Sequence, residues 1–158
     1  MISIDIIVRF SDCDALGHVN NAVYYTYFEA SRRDLFRIFN SNLDIRSWNI
    51  TLASSCCDFL QESFYAQMLT VYAWIGRLGT SSFVVEHAIK DDKGAWVARG
   101  RVTHLKYDFK QKMAVPLSQE ERDKLLIHHE GPTEVPGMRN LEWQESKGGD
   151  LNGFQVDK

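Results

Sequence analysis

Between Thr51 and Phe109 the chain carries four β-rich segments in succession, so whatever it folds into must arrange a sheet around the little that precedes them. The segments run Thr51–Gln61, Leu69–Leu78, Ser81–Lys90 and Ala95–Phe109, punctuated by Ala66-Gln67, Gly79-Thr80 and the turn Asp91-Asp92-Lys93-Gly94. Val71, Ala73 and Ile75 alternate with Tyr72, Trp74 and Gly76, whereas Phe83-Val84-Val85 reads as more fully buried. Upstream, Ile2 to Phe10 alternates as a strand does. From Ala22 to about Asn40, Tyr24, Tyr27, Phe28, Leu35 and Ile38 recur at helical intervals, with Glu29, Arg32, Arg33 and Arg37 mostly on the other face. The order is β-α-β-β-β-β, and the economical solution is an α+β domain with the sheet packed on one long helix. Asn20 or Asn21 is placed to cap that helix, and Ser118 with Glu121 forms a capping box for a short helix from Ser118 to about His128. Residues 1–129 form the expected domain; 130–158, rich in Gly, Glu and Lys, read as a flexible or loosely docked tail.

Composition narrows the function classes. The 158 residues suit one domain with a real core, at 44% hydrophobic and 25% charged. A net charge of −3 and a pI near 5.9 leave no electrostatic footprint for nucleic acid. No apolar run approaches the ~20 residues of a membrane span, and the N-terminus has no signal-peptide pattern, so a cytoplasmic location is expected. Cys13, Cys56 and Cys57 fit free thiols better than a disulfide framework.

The chemistry concentrates in Phe10-Ser-Asp-Cys-Asp-Ala-Leu-Gly-His-Val-Asn-Asn21, which ends where the helix begins. Hydrolysis at a carbonyl needs a nucleophile or activated water and donors aimed at the developing oxyanion. Asp14 projects a carboxylate near a helix start, where backbone N–H groups are unpaired and the dipole is positive. Its bland alternative is a turn or capping acid. Asp12 reads as the acid that bonds turn amides and fixes the loop, and Gly17 as a backbone conformation or close approach that side chains forbid. His18 divides evenly between a structural hydrogen bond and a direct role. Tyr24, Tyr27 and Phe28 are economically core, with one edge available to line a pocket. The five histidines show no ligand spacing with acids or cysteines, so no metal site is expected.

The motif D-x-D-x-x-G-H-V-N-N-x-x-Y, carried by Asp12, Asp14, Gly17, His18, Val19, Asn20, Asn21 and Tyr24, resembles that of the hotdog-fold thioesterases of the 4-hydroxybenzoyl-CoA and acyl-CoA group. Arg77-Leu-Gly-Thr-Ser-Ser-Phe83 and Val115-Pro116-Leu117 resemble later segments of the same family, and the likeness spans about residues 1 to 128. It implies a curved antiparallel sheet of five to six strands wrapped on one long helix, with Asp14 as nucleophile or general base. It also implies a carbonyl-polarising amide at Asn21, and the D-x-x-x-H spacing is similar to that of plant acyl-carrier-protein thioesterases, which brings His18 into the catalytic set. Gly17, Asn20, Tyr24, Cys57, Asp58, Phe59, Thr80, Ser81 and Ser82 are the substrate-binding residues so implied.

The implied substrate is a small or medium acyl or aroyl thioester of coenzyme A or acyl carrier protein, with no bound cofactor because coenzyme A belongs to the substrate. Arg77, Arg99, Arg101 and Lys106 are candidate phosphate partners. One helix cannot cover a whole sheet and edge strands need partners, so a homodimer or homotetramer is expected. Two rival readings remain. A hotdog dehydratase would use His18 with Glu29, although Gly17-His-Val-Asn-Asn21 lacks the proline-rich wording of that group; a non-catalytic acyl-thioester binder would keep the pocket, with Asp14 as the feature against it.

Overall fold

The computed structural model describes residues 1–139. Strand β1 (Ile2–Ile7) is followed by a hairpin-like loop, helices α1 (Val23–Ser31) and α2 (Arg33–Phe36), and strands β2 (Ile50–Phe59), β3 (Met68–Leu78), β4 (Ser82–Asp91) and β5 (Trp96–Asp108). A two-residue strand β6 (Met113–Ala114) and helix α3 (Gln119–Leu126) complete the described chain. The main strands form one antiparallel sheet in the order β1-β3-β4-β5-β2, with β6 pairing the end of β5. This is the curled sheet and helical packing of the hotdog fold.

The four β-rich segments become β2 to β5, with boundaries within two residues of those expected. Register breaks at Leu52/Ser54, Ile75/Arg77 and Ile89/Lys90 are bulges, which bend strands and increase twist. One sheet face holds the helical segment. Phe28 is fully buried between the ring of His87, 4.7 Å away, and Gly100, where an added methyl would overlap the Phe28 ring. Val8, Val19, Tyr24, Tyr27, Leu69, Val71 and Ile89 gather around it, while Leu35, Ile75, Phe83, Val85 and Leu125 form a second cluster toward the other end.

The helix expected over 22–40 is not continuous. Periodicity carries the apolar stripe through Leu35 and Ile38, but the Ser31 hydroxyl donates to the Phe28 carbonyl at 2.8 Å, and Arg32 takes a tightened turn, its N–H donating to Glu29 at 3.1 Å. Such back-bonding bends helices. Beyond α2, Ile38 and Phe39 bond to carbonyls three residues back, so the segment winds down as tight turns. The cap also differs from expectation. Ala22 is the residue flanking α1, and Asn20 acts two residues earlier, its side chain accepting the Ala22 N–H at 2.9 Å and its carbonyl the Val23 N–H at 2.9 Å. Helix α3 has the expected capping box between Ser118 and Glu121.

Of the tail, residues 130–139 lie against the sheet face opposite the helix, and residues 140–158 fall outside the described residues. Gly131 packs so closely on Trp74 that a side chain there would overlap the indole. The Pro136 carbonyl accepts from Arg99 at 3.1 Å, and the Arg139 N–H donates to the Asp58 carboxylate at 2.6 Å. Beneath them Arg99 pairs with Glu86 at 2.6 Å, and its guanidinium lies 4.7 Å from the Trp74 ring centroid.

Candidate functional site

The loop between β1 and α1 is built around Asp12, which is almost fully buried. Its carboxylate accepts from the Arg9 backbone at 2.9 Å, from the Arg9 guanidinium at 2.8 Å and from the Tyr27 hydroxyl at 2.8 Å. Burial alone would push this carboxyl up; the Arg9 and Tyr27 bonds outweigh it and hold the acid below its ordinary range. The Tyr27 phenol, buried and bonded to that carboxylate, is pushed up. Asp12 thus ties the end of β1 to α1, and its carbonyl accepts the Asn20 N–H at 2.9 Å.

Inside this frame Cys13 and Val19 pair as a small antiparallel bridge. The Asp14 N–H donates to the His18 carbonyl at 3.0 Å, and the Gly17 N–H to the Asp14 carbonyl at 3.0 Å. Gly17 has φ of +86°, the left-handed conformation that closes such a turn and that disfavours any side chain, while nothing lies within 4 Å of an added methyl. One Asp14 carboxylate oxygen accepts the Leu16 N–H at 2.9 Å, which orients the side chain. His18 is half-buried, with Nδ1 3.2 Å from the Val19 carbonyl and Nε2 3.9 Å from Glu62.

The start of α1 then has an uneven allocation of hydrogen bonds. Asn20 donates to Asp12, and Ala22 and Val23 both donate to Asn20, but the Asn21 N–H has no acceptor among the described residues. Beside it opens a cavity of about 190 Å³ lined by His18, Val19, Asn21, Tyr24, Phe59, Leu60, Gln61 and Glu62. Buried Tyr24 forms one wall, its ring 5.3 Å from that of Phe59 in an edge contact. A free backbone donor at the head of a helix, next to a cavity and to a carboxylate-bearing turn, can polarise a carbonyl while the carboxylate supplies the base or nucleophile.

The other residues singled out in the sequence are dispersed. Gly17 and Asn20 shape the loop. Cys57 packs against the helix-side core, its thiol pushed up to about 12 by burial, then by the Asp58 charge and Cys56. Asp58, next along the strand, faces the opposite side and holds Arg139. Thr80, Ser81 and Ser82 sit at the far end of β3, where Arg122 donates to the Gly79 and Thr80 carbonyls at 2.6 and 3.1 Å. Of the candidate phosphate partners, Arg99 and Arg101 are tied to Glu86 at 2.6 Å each and Lys106 to Glu121 at 2.8 Å; Arg77 is exposed. Glu29 is exposed on α1.

Sequence reasoning passed over a second, larger cavity. It measures about 630 Å³ and lies between the helical segment and the first residues of β2, lined among others by Arg32, Phe36, Leu43, Trp48, Ile50 and His104. The signal was present in Trp48 and Leu43, which have no place in a strand and must pack on something.

The sequence profile of the thioesterase-like superfamily matches residues 8–125. The uncharacterized protein YsmA of Bacillus subtilis strain 168 is 29% identical over 119 residues, 75% of this chain and 81% of YsmA. Among solved structures, a predicted thioesterase from Bacillus stearothermophilus shares 29% identity with a TM-score of 0.80, over 83% of this chain and 98% of that one. A thioesterase of Thermus thermophilus, crystallised with coenzyme A and zinc, shares 29% identity with a TM-score of 0.70, over 78% and 96%.

Proposed function

Since the chain belongs to the thioesterase-like superfamily, we propose that it hydrolyses acyl-CoA thioesters, with Asp14 as the reacting carboxylate and the Asn21 amide as oxyanion donor. The single observation that carries this reading is the unpartnered N–H of Asn21, a residue that lines the same cavity as His18, Tyr24 and Phe59. Its neighbours are all satisfied, so the donor is free to meet a substrate oxygen. In the reaction, oxygen from Asp14 or from a water it deprotonates adds to the carbonyl carbon, the C–S bond breaks, and the thiolate leaves to be protonated. With Asp14 as base, water supplies the second oxygen of the acid directly; with Asp14 as nucleophile, water hydrolyses the mixed anhydride at the Asp14 carbonyl, so the acid leaves with an Asp14 oxygen and the water oxygen stays on Asp14. Coenzyme A enters as substrate, as its presence in the Thermus thermophilus structure supports.

The reading includes a second copy of the chain. Thr80 to Ser82 lie the length of β3 away from the Asp14 loop, so one site holding both sets must draw them from two protomers. The exposed edge of β2 is the place to join them.

The test is turnover of an acyl-CoA panel with released thiol measured directly. Asp14→Asn is expected to lower kcat by about 100-fold or more with the circular dichroism spectrum retained. Equal turnover in the variant removes Asp14 from the reaction. Single turnover in ¹⁸O-water then separates the two roles, since a nucleophilic Asp14 acquires the label and a general base does not.

A further inference from the structure

Arg32 is only 4% exposed, yet its Nε finds no acceptor among the described residues. The nearest acid along the helix, Glu29, lies exposed on the same cavity wall without forming an ion pair to it, while Arg33 next door pairs with Asp34 at 3.5 Å. The guanidinium instead lies 5.9 Å from the Phe36 ring centroid, and burial lowers its pKa to about 10. The chain's treatment of its other buried arginine sets the contrast: Arg99 donates to Glu86, to the His87 and Gly100 carbonyls and to Pro136. A buried cation left without an anion is among the costliest arrangements a fold can carry.

Arg32 borders the cavity of about 630 Å³, whose remaining walls are largely apolar: Phe36, Leu43, Trp48, Ile50 and Leu52. His104 completes it, with neither ring nitrogen bonded among the described residues. That volume far exceeds what one carboxylate side chain fills, and of the charged residues on its walls Arg32 is the buried one, Glu29 and Arg33 being exposed and Arg33 paired with Asp34. Both cavities lie between the helical segment and β2, the smaller at the start of α1 and the larger at its end. Asn21 and Arg32 are 11 residues apart, roughly 16 Å of helix axis.

We propose that the Arg32 cavity binds a carboxylate carried on an apolar body, and that this enzyme accordingly takes thioesters whose acyl group ends in a second, free carboxylate. The proposal rests on the thioesterase reading of the neighbouring site, and its test separates the two. Suberoyl-CoA and octanoyl-CoA differ only in the terminal carboxylate. The wild type should show kcat/KM at least tenfold higher for suberoyl-CoA; Arg32→Met should erase that ratio, and Arg32→Lys should keep part of it. A ratio near one in the wild type, or one that survives in Arg32→Met, overturns the proposal while leaving hydrolysis itself established. Calorimetric titration with octanoate and with octanol needs no turnover: octanoate should bind at least tenfold tighter, and Arg32→Met should abolish the difference. If octanoate binds through Arg32 while neither thioester is hydrolysed, the cavity stands and the thioesterase reading falls. If octanoate fails to bind and Arg32→Met converts a larger species into a smaller one in sedimentation, a second copy supplies the anion and the proposal is overturned.

Discussion

Two residues of similar burial make the molecule sensitive to acid over different pH ranges. His104 stacks on Phe83 at 5.2 Å and meets Phe36 edge-on at 5.2 Å; burial, then the Arg32 charge, pushes its pKa down to about 3. In the unfolded chain the same group titrates near 6.5. Between those values the unfolded state binds the proton and the native state does not, so stability rises with pH through that window and drains away on acidification from about pH 6.5. His87, pushed down in the same direction by burial, Arg32 and His104, adds to the slope. The melting temperature should therefore fall between pH 6.5 and 4.5, and His104→Phe, which keeps the ring contacts, should flatten that fall; an unchanged slope would locate the sensitivity elsewhere. Asp12 acts later. Its depressed carboxyl contributes stability above the ordinary range near 3.9, lost only as pH falls through its lower native value. At Asn21 the test is backbone deletion: Asn21→Pro removes the free N–H at a position where α1 asks for none, so kcat should drop sharply with the fold kept, while Asn21→Ala should retain most activity. A folded, fully active proline variant would place the oxyanion elsewhere.

At the scale of elements, small hydrogen bonds decide where helices begin and end. In α3 the Ser118 hydroxyl accepts the Glu121 N–H at 3.2 Å while the Glu121 carboxylate returns to the Ser118 N–H at 2.7 Å and to Lys106 at 2.8 Å. Ser118→Ala should cost about 1 kcal/mol in chemical denaturation, and Glu121→Ala more because it also releases Lys106 from β5. These features were legible in the sequence, as were the strands, because alternation and the capping box are local patterns. The break at Arg32 was not, since apolar spacing runs on through Leu35 and Ile38 while the interruption comes from one serine hydroxyl. For the same reason the sequence put Arg32 on the polar face of a straight helix, whereas the tightened turn buries it. Strand β6 is two residues long and carries no periodicity to read. In the site, the Asp12–Asn21 loop was legible because its residue types announce a turn before a helix. The family resemblance implies a substrate-binding role for both Cys57 and Asp58, and strand alternation sends them to opposite faces.

For the whole molecule, residues 130–139 act as part of the domain. Chains ending at Glu130 and at Arg139 should differ in stability by a few kcal/mol, since the shorter one bares Trp74 and deprives Asp58 and Arg99 of their tail partners. Equal melting of the two would show that the sheet face needs no cover. Sedimentation at micromolar concentration should find a dimer or larger, and a fully active monomer would remove the shared site. The covered face also bears on symmetry. With residues 130–139 lying over Trp74, Arg99 and Asp58, the unpaired rims along β1 and β2 are the natural places for the sheet to meet another copy. Joining two copies through β2 about a twofold axis consumes one rim from each and leaves a β1 rim at both extremities. Along β1 the one charged residue, Asp5, has a carboxylate oxygen engaged by Thr70 at 2.8 Å. The closed pair thus retains two ends at which linear polymerisation would start, and a lysine at an exposed β1 position such as Ile7 is the substitution that would blunt them.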